Sequence, residues 1–322
     1  MARKKSYKKY KYTRKQRRKY VKRGGGSDET ACEFVSSRGI LKSCSVHNSN
    51  PVSSTTSLDG YDFSKVKDGS TVYVTSSALP AFVSVLDTLP GKIILVSGDS
   101  DDSVPDSLFS PEQFKSFIES EKIIHWFSQN CVGTHPKLSK IPIGLDYHTL
   151  FDKDYEEWGS KATPLEQETQ LKEIAKKSKP FSERIAKCYS NFHFKMYGDR
   201  AEAKEKIPDE CIFYEPTAVK RYESWKNQTI YAFVASPKGM GLDCHRTWEA
   251  ICLGCIPVVK TSPIDSLFEN LPVLVVNDWS DITPKLLEDT LNDFKKKEKA
   301  GEFHYKNLTL TYWMNKINSY NR

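Results

Sequence analysis

The strongest constraint on this chain is a recurring pair: a short, near-continuous apolar run followed by a stretch of helical spacing. KIILVSG (92–98) is apolar on both alternating faces, and TVYVTSS (71–77) and KIIHWFSQN (122–130) are of the same kind. A strand apolar on both faces must be covered on both, which is the condition of a parallel sheet flanked by helices. The intervening segments supply those helices. LPAFVSVLDTL (79–89) is one, and SPEQFKSFIES (110–120) is another, with Ser110 as N-cap and Pro111 at its first position.

The alternation stops at SKIPIGLDYHTLFDKDYEEWGSKATP (139–164), which is rich in Gly, Pro and charge and reads as a connecting region. It resumes after a polar helix over 164–178. Strands are expected at RIAKCYSNF (184–192), CIFYE (211–215), QTIYAFVAS (228–236), CIPVVK (255–260) and PVLVVND (272–278), with helices between them. Two closing helices follow, over 282–299 and 303–320. The pattern predicts an α/β protein of two Rossmann-like halves meeting near 150–180. We divide it into a basic disordered tail (1–27), a first domain (28–160), a second domain (161–300) and a closing C-terminal helix (301–322). Open α/β sheets bind ligands beyond the carboxyl ends of their strands, so a cleft between the halves is the expected site.

Charge is unevenly distributed. Residues 1–23 hold thirteen of the 48 Lys/Arg and no acid, leaving the remainder with 35 basic against 41 acidic residues. The basicity therefore belongs to the tail, where Tyr alternates with Lys/Arg ahead of a Gly-Ser hinge. Such a segment stays extended and binds polyanions, so nucleic acid or an anionic surface is its expected partner, or it serves only as a solubilising or address segment. No apolar run reaches the roughly 18–20 residues of a membrane span, and no secretory h-region is visible. A soluble, cytoplasmic protein is the expectation. Eight cysteines are too few for a disulfide framework, and Cys252-x-x-Cys255 lies in an apolar segment where buried free thiols are expected.

The chemistry concentrates in SPKGMGLDCHRTWEAICLGCIPVV (236–259). Gly239 and Gly241 allow close backbone approach, and the helix that follows offers unsatisfied N–H groups and the positive end of its dipole. Asp243 is placed to cap that helix. Arg246 in the first turn is poorly placed for the dipole and makes better sense beside an anion. Arg246 and Glu249 share a helix face, so an ordinary ion pair would also explain them. On these residues alone, a decorated turn and a phosphate cradle remain equally open.

The stretch S-P-x-G-x-G-L-D-C-H-R-T-W-E-A, the G-C-I-P-V-V strand and LPVLVVNDWSDIT resemble the C-terminal half of the exostosin family of glycosyltransferases, particularly its soluble viral and algal members. LVSGDSDDSVP and HWFSQN…KLSKIPIGLDYHT resemble the same group, so the likeness spans most of 70–320. It implies a GT-B-like architecture with a nucleotide-sugar donor held mainly by the second domain and a glycan or glycoprotein as acceptor. It also implies an inverting, metal-independent transfer with no cofactor beyond the donor. If the chain is viral, the host cytoplasm, a virus factory or the virion is its place. The resemblance assigns Glu249 to the donor ribose. It assigns Lys238, Gly239, Gly241, Arg246 and Arg200 to the diphosphate, with His245 close by. Lys238 stands where relatives often carry His. Animal exostosins have a membrane anchor that is not expected here, which argues against their pathway.

A base is needed across the cleft from the donor. The acidic loop SGDSDD after the second strand supplies Asp99 and Asp101, with Asp102 and His125 as weaker candidates. Asp99-Ser100-Asp101 also spells D-x-D, which in the GT-A fold binds a divalent cation on the donor diphosphate. A metal-dependent transferase of that type is the alternative. A nucleic-acid-associated protein and an inactive carbohydrate-binding module are the other two.

Overall fold

The computed structural model describes residues 28–151, 153–156, 158–193 and 196–321. The basic tail, and with it the expected nucleic-acid or anionic-surface partner, lies outside the described residues. The architecture is α/β and GT-B-like, built from two Rossmann-like parallel sheets facing a cleft.

The first sheet has the order β1-β2-β3-β4: β1 (Ser70–Thr75), β2 (Ile93–Gly98), β3 (Ile123–Ser128) and β4 (Leu138–Lys140), all parallel. Ahead of it comes α1 (Ser37–Ser43), while α2 (Leu79–Leu86) and α3 (Pro111–Glu119) are the crossovers. The period of two explains why its strands are apolar throughout. Ile93 and Leu95 join an outer core with Leu79 and Phe82 of α2 and Phe117 of α3, while Ile94 and Val96 point the other way. The capping box expected at Ser110 is present with Gln113, and Thr163 with Glu166 opens α4 (Pro164–Lys177) in the same way.

The second sheet runs β6-β5-β7-β8-β9: β5 (Ile185–Ser190), β6 (Ile212–Tyr214), β7 (Tyr231–Ala235), β8 (Ile256–Lys260) and β9 (Leu274–Val276). Its helices are α5 (Asp199–Lys206), α6 (Arg221–Gln228), α7 (His245–Cys252) and α8 (Pro284–Ala300). The chain steps outward from β5 to β6, then returns to the other side of β5 as β7. Strand order thus reverses between β5 and β7, and a crevice opens at their carboxyl ends.

One continuous core lies between the sheets. Tyr73, Ile94, Val96 and Phe127 of the first share a cluster with Val234 of the second and with Trp248 and Ile251 of α7. The last helix, α9 (Leu310–Asn318), adds Trp313 and Ile317 to this core and packs on α1. Its entry is pinned by Val35 N–H donating to Leu308 O at 2.8 Å and Leu310 N–H to Glu33 O at 2.9 Å. All eight cysteines are free, and Cys255 is fully buried with its thiol pushed up to about 11 by burial.

The segment 139–164 departs from its reading as a connecting region. It contributes part of β4 and then threads between the sheets, burying Ile141, Leu145, Tyr147 and Leu150. The bend is made at Gly144, φ +65°, where a Cβ would lie 2.2 Å from Val35 O. Pro142 and Gly144 interrupt the apolar alternation, so the sequence hides a core element.

Candidate functional site

A cavity of about 430 Å³ opens where the strand order reverses, between the loops after β5 and β7 and the segment after β4. Its floor and walls come from both halves of the molecule, with Asp146 and Ile143 on one side and Arg246, Glu249 and Tyr189 on the other.

The glycine loop is fastened before it can bind anything. Asp243 does not cap α7: the N-cap is Cys244, which has no side-chain cap bond. The buried Asp243 carboxylate accepts instead from Ile143 N–H (2.8 Å), Trp248 Nε1–H (2.8 Å) and Cys244 N–H (2.9 Å). Asn130 accepts Asp243 N–H at 2.9 Å and donates its Nδ2–H to Ser100 O at 2.9 Å. The acidic loop after β2 and the glycine loop after β7 are thereby held together.

Burial pushes the Asp243 carboxyl up to about 6, against the three donors that favour its charged form. A folded-state value above the unfolded one gives stability that is complete below about pH 4 and is lost as the pH climbs to about 6. Asp243→Asn removes this dependence. Its stability relative to wild type should improve by about 2 kcal/mol between pH 4.5 and 7.5, because a tenfold change in a proton-binding equilibrium is about 1.4 kcal/mol. Urea unfolding at the two pH values measures this, and a difference that does not change with pH would rule out a raised Asp243.

Two arginines share the mouth of the cavity. Arg246, in the first turn of α7, donates Nη1–H to Pro237 O (3.1 Å) and Ser236 Oγ (3.5 Å) and lies 5.6 Å from the Phe192 ring centroid. Arg200, in the first turn of α5, brings Nη2 to 3.1 Å from where a Cβ on Gly239 would sit, so a side chain there would push the guanidinium back by a few tenths of an ångström. Burial and the neighbouring Arg246 cation both lower the Arg200 pKa. Two cations drawn together at the starts of two helices form an anion-binding arrangement.

Glu249 is one turn along α7 from Arg246. It turns away from the ion pair that their i, i+3 spacing allowed: Oε2 accepts Trp225 Nε1–H at 3.0 Å, and Oε1 lies 3.9 Å from Arg221 Nε. Gly239, Gly241, His245, Arg246, Glu249 and Arg200 all line the one cavity. Lys238 does not. Its side chain is exposed and borders a separate small hollow with Lys260, while its N–H donates to Asp199 Oδ2 at 2.8 Å.

The acidic loop divides in two. Asp101 lines the cavity and is exposed at its rim, its Oδ1 3.2 Å from where a Gly241 Cβ would lie. Asp99 adopts φ +53° and turns into the protein, where it accepts Ser53 Oγ–H at 2.8 Å and lies 3.6 Å from Arg38 Nε. Asp102 is engaged by Ser77 and Ser100. His125 is buried in the first half of β3, away from its carboxyl end, bonded to Ser139 Oγ at 2.8 Å and stacked on Tyr320 at 3.9 Å, and burial, with Lys316 and Lys137, lowers it to about 4. The two D-x-D carboxylates therefore have different surroundings and do not converge on one point.

The centre of the cavity wall was not legible in sequence. Arg221 of α6 is buried, pairs with Asp146 through Nη2 and Oδ2, and donates Nη1–H to Asp146 O at 2.8 Å and Gln167 Oε1 at 3.2 Å. Its guanidinium lies 5.0 Å from the Trp158 ring centroid. Burial opposes the Asp146 charge, but Arg221, His148 and His245 outweigh it and hold the carboxyl well below its usual range. Asp146 Oδ1 is 3.2 Å from His148 Nδ1, and Asp146, His148 and His245 bring donor atoms within 4.8 Å of one another. Among the described residues this is the cluster close enough to hold a cation.

No family model matches the chain, and no curated protein matches it. Solved structures that match include "Trehalose-6-phosphate from E. coli bound with UDP-2-fluoro glucose", with TM-score 0.32 and 11% identity over 80% of this chain and 72% of that one. Another is "OtsA apo structure", with TM-score 0.33 and 11% identity over the same shares. The ligand named belongs to that protein. These findings correct the family reading: the solved structures matched are not exostosin-like, no exostosin-like family model matches, and nothing supports a viral assignment. Among the described residues no helix is long and apolar enough to cross a membrane.

Proposed function

We propose that the protein transfers a sugar from a nucleoside-diphosphate sugar to a glycan or glycoprotein hydroxyl, with inversion and without a metal on the diphosphate. The observation that carries this reading is the juxtaposition of Arg200 and Arg246 over the glycine loop at the start of α7. On this reading they bind the diphosphate with the N–H groups of Gly239 and Gly241 and stabilise the charge of the leaving group, as preorganised donors do. Glu249 accepts from the ribose hydroxyls with the lone pairs that Trp225 leaves free. Asp101, at the rim on the first-sheet side, meets the acceptor. Asp99 and Lys238 stand behind and beside the cavity and take indirect roles.

A thermal-shift panel tests the proposal. In the presence of EDTA, one of UDP-glucose, UDP-N-acetylglucosamine and GDP-mannose should raise the melting midpoint by several degrees at saturating concentration, because a ligand at 100 times its Kd adds about 2.7 kcal/mol. Free sugars should not. If none of the three shifts the midpoint, or if a shift appears only with added Mn²⁺, the assignment fails.

A further inference from the structure

We propose that His245 is the general base of this cavity, oriented by Gly144 O, and that the nearby Asp146 carboxylate offsets the charge it gains; the inference rests on the nucleotide-sugar reading above. His245 Nδ1 lies 2.8 Å from Gly144 O. A carbonyl oxygen can only accept, so Nδ1 carries the hydrogen and Nε2 of the neutral ring keeps its lone pair. Gly144 thus selects the tautomer, and the φ of +65° that only glycine tolerates well is what brings its carbonyl there. The ring itself lines the cavity on the Gly144 and His148 side, and successive helical residues point about 100° apart, so it does not share the direction of Arg246.

Asp146 also lines the cavity, and its carboxylate is fixed by Arg221 on one oxygen and by Thr149 N–H (3.0 Å) on the other. It is a rigid negative charge close to the ring that would become positive. His148, T-shaped to His245 with ring centroids 5.8 Å apart, closes the other side. In the transfer, the acceptor oxygen forms a bond to the sugar C1 as the C1–O bond to the β-phosphate breaks. The acceptor proton moves to His245 Nε2, and the bonding pair leaves with the nucleoside diphosphate. Exposed Asp101 suits this step less well, because a carboxylate in water is a far weaker base than imidazole at neutral pH.

The same three groups could be read as a metal site. The EDTA and Zn²⁺ arms of the test below separate that reading from a general base.

The test uses whichever of UDP-glucose, UDP-N-acetylglucosamine or GDP-mannose the full-length protein binds, with water as acceptor and nucleoside-diphosphate release as readout. His245→Ala should keep the Kd for that donor within about threefold while release slows by about 100-fold or more, with partial recovery on adding imidazole. His245→Asn, whose amide can still donate to Gly144 O, should be as slow, which separates lost chemistry from lost folding. Ring nitrogen shifts of the ¹⁵N-labelled protein should show His245 protonated on Nδ1 and bare on Nε2. The proposal is overturned by unchanged release in His245→Ala, by slowing that imidazole cannot relieve, or by the opposite tautomer. Release that EDTA abolishes and Zn²⁺ restores also overturns it. Failure of the wild type to bind any of the three donors instead overturns the nucleotide-sugar reading, and this inference falls with it.

Discussion

Arg221→Leu is expected to destabilise the protein by about 3–5 kcal/mol, the cost of breaking a buried ion pair from one side, and to lower the melting midpoint by on the order of 10 °C. Arg221 is 6% exposed and holds together three elements: Asp146 after β4, Gln167 of α4 and Glu249 of α7. Removing it leaves a buried carboxylate without its cation. The pH dependence then changes sign. In the wild type the Asp146 carboxyl is depressed, so its contribution is present above the unfolded value and lost as the pH falls. Without Arg221, burial raises it, and stability is lost as the pH rises. The variant should therefore compare worst with wild type at pH 8 and best near pH 5. Adding Asp146→Leu should recover part of the loss, because an apolar pair can replace a buried ion pair at little cost. Thermal or urea unfolding at the two pH values, on the single and double variants, measures all of this. A single variant within 1 kcal/mol of wild type at pH 8 would show that the pair does not tie the two halves.

Why this pair escaped the sequence reading is a matter of distance along the chain and of local disguise. Residues 75 apart give no spacing signal, and Asp146 sits in a stretch whose Pro142 and Gly144 look like punctuation. What was legible has a local cause. Strands apolar on both faces announced the first sheet, Ser110 and Pro111 announced α3, and the glycine loop with Arg246 and Glu249 marked one wall of the cavity. The D-x-D string shows the limit of local pattern. Two acids two apart suggest convergence, but a left-handed backbone at Asp99 sends its carboxylate to Ser53 and Arg38 while Asp101 stays at the rim. Arg200 lies between these extremes. Its place at the start of α5 was readable, whereas its approach to Gly239 depends on how β5 and β7 lie beside each other.

Arg200→Ala and Arg246→Ala should each weaken donor binding about 10- to 100-fold, since a hydrogen bond to a charged group contributes about 1.5–3 kcal/mol. For Arg246→Ala the unliganded fold should change little, and this contrast with Arg221 is the informative part. Arg221 is compensated in the resting protein by Asp146, so its loss is paid in stability. Arg200 and Arg246 press on one another, and Arg246 reaches a loop carbonyl and a hydroxyl at 3.1 and 3.5 Å, neither of them charged. Truncating Arg246 relieves repulsion while removing a ligand for phosphate, so its melting midpoint should stay within a few degrees of wild type. The double variant should bind less than additively weakly, because the second substitution no longer gains that relief in the free protein. Lys238→Ala, with its side chain outside the cavity, should alter donor affinity by less than about threefold, as exposed charges do. Calorimetric titration with the donor that shifts the wild type settles the point. An Arg200→Ala/Arg246→Ala protein that binds it as tightly as wild type would place the diphosphate elsewhere.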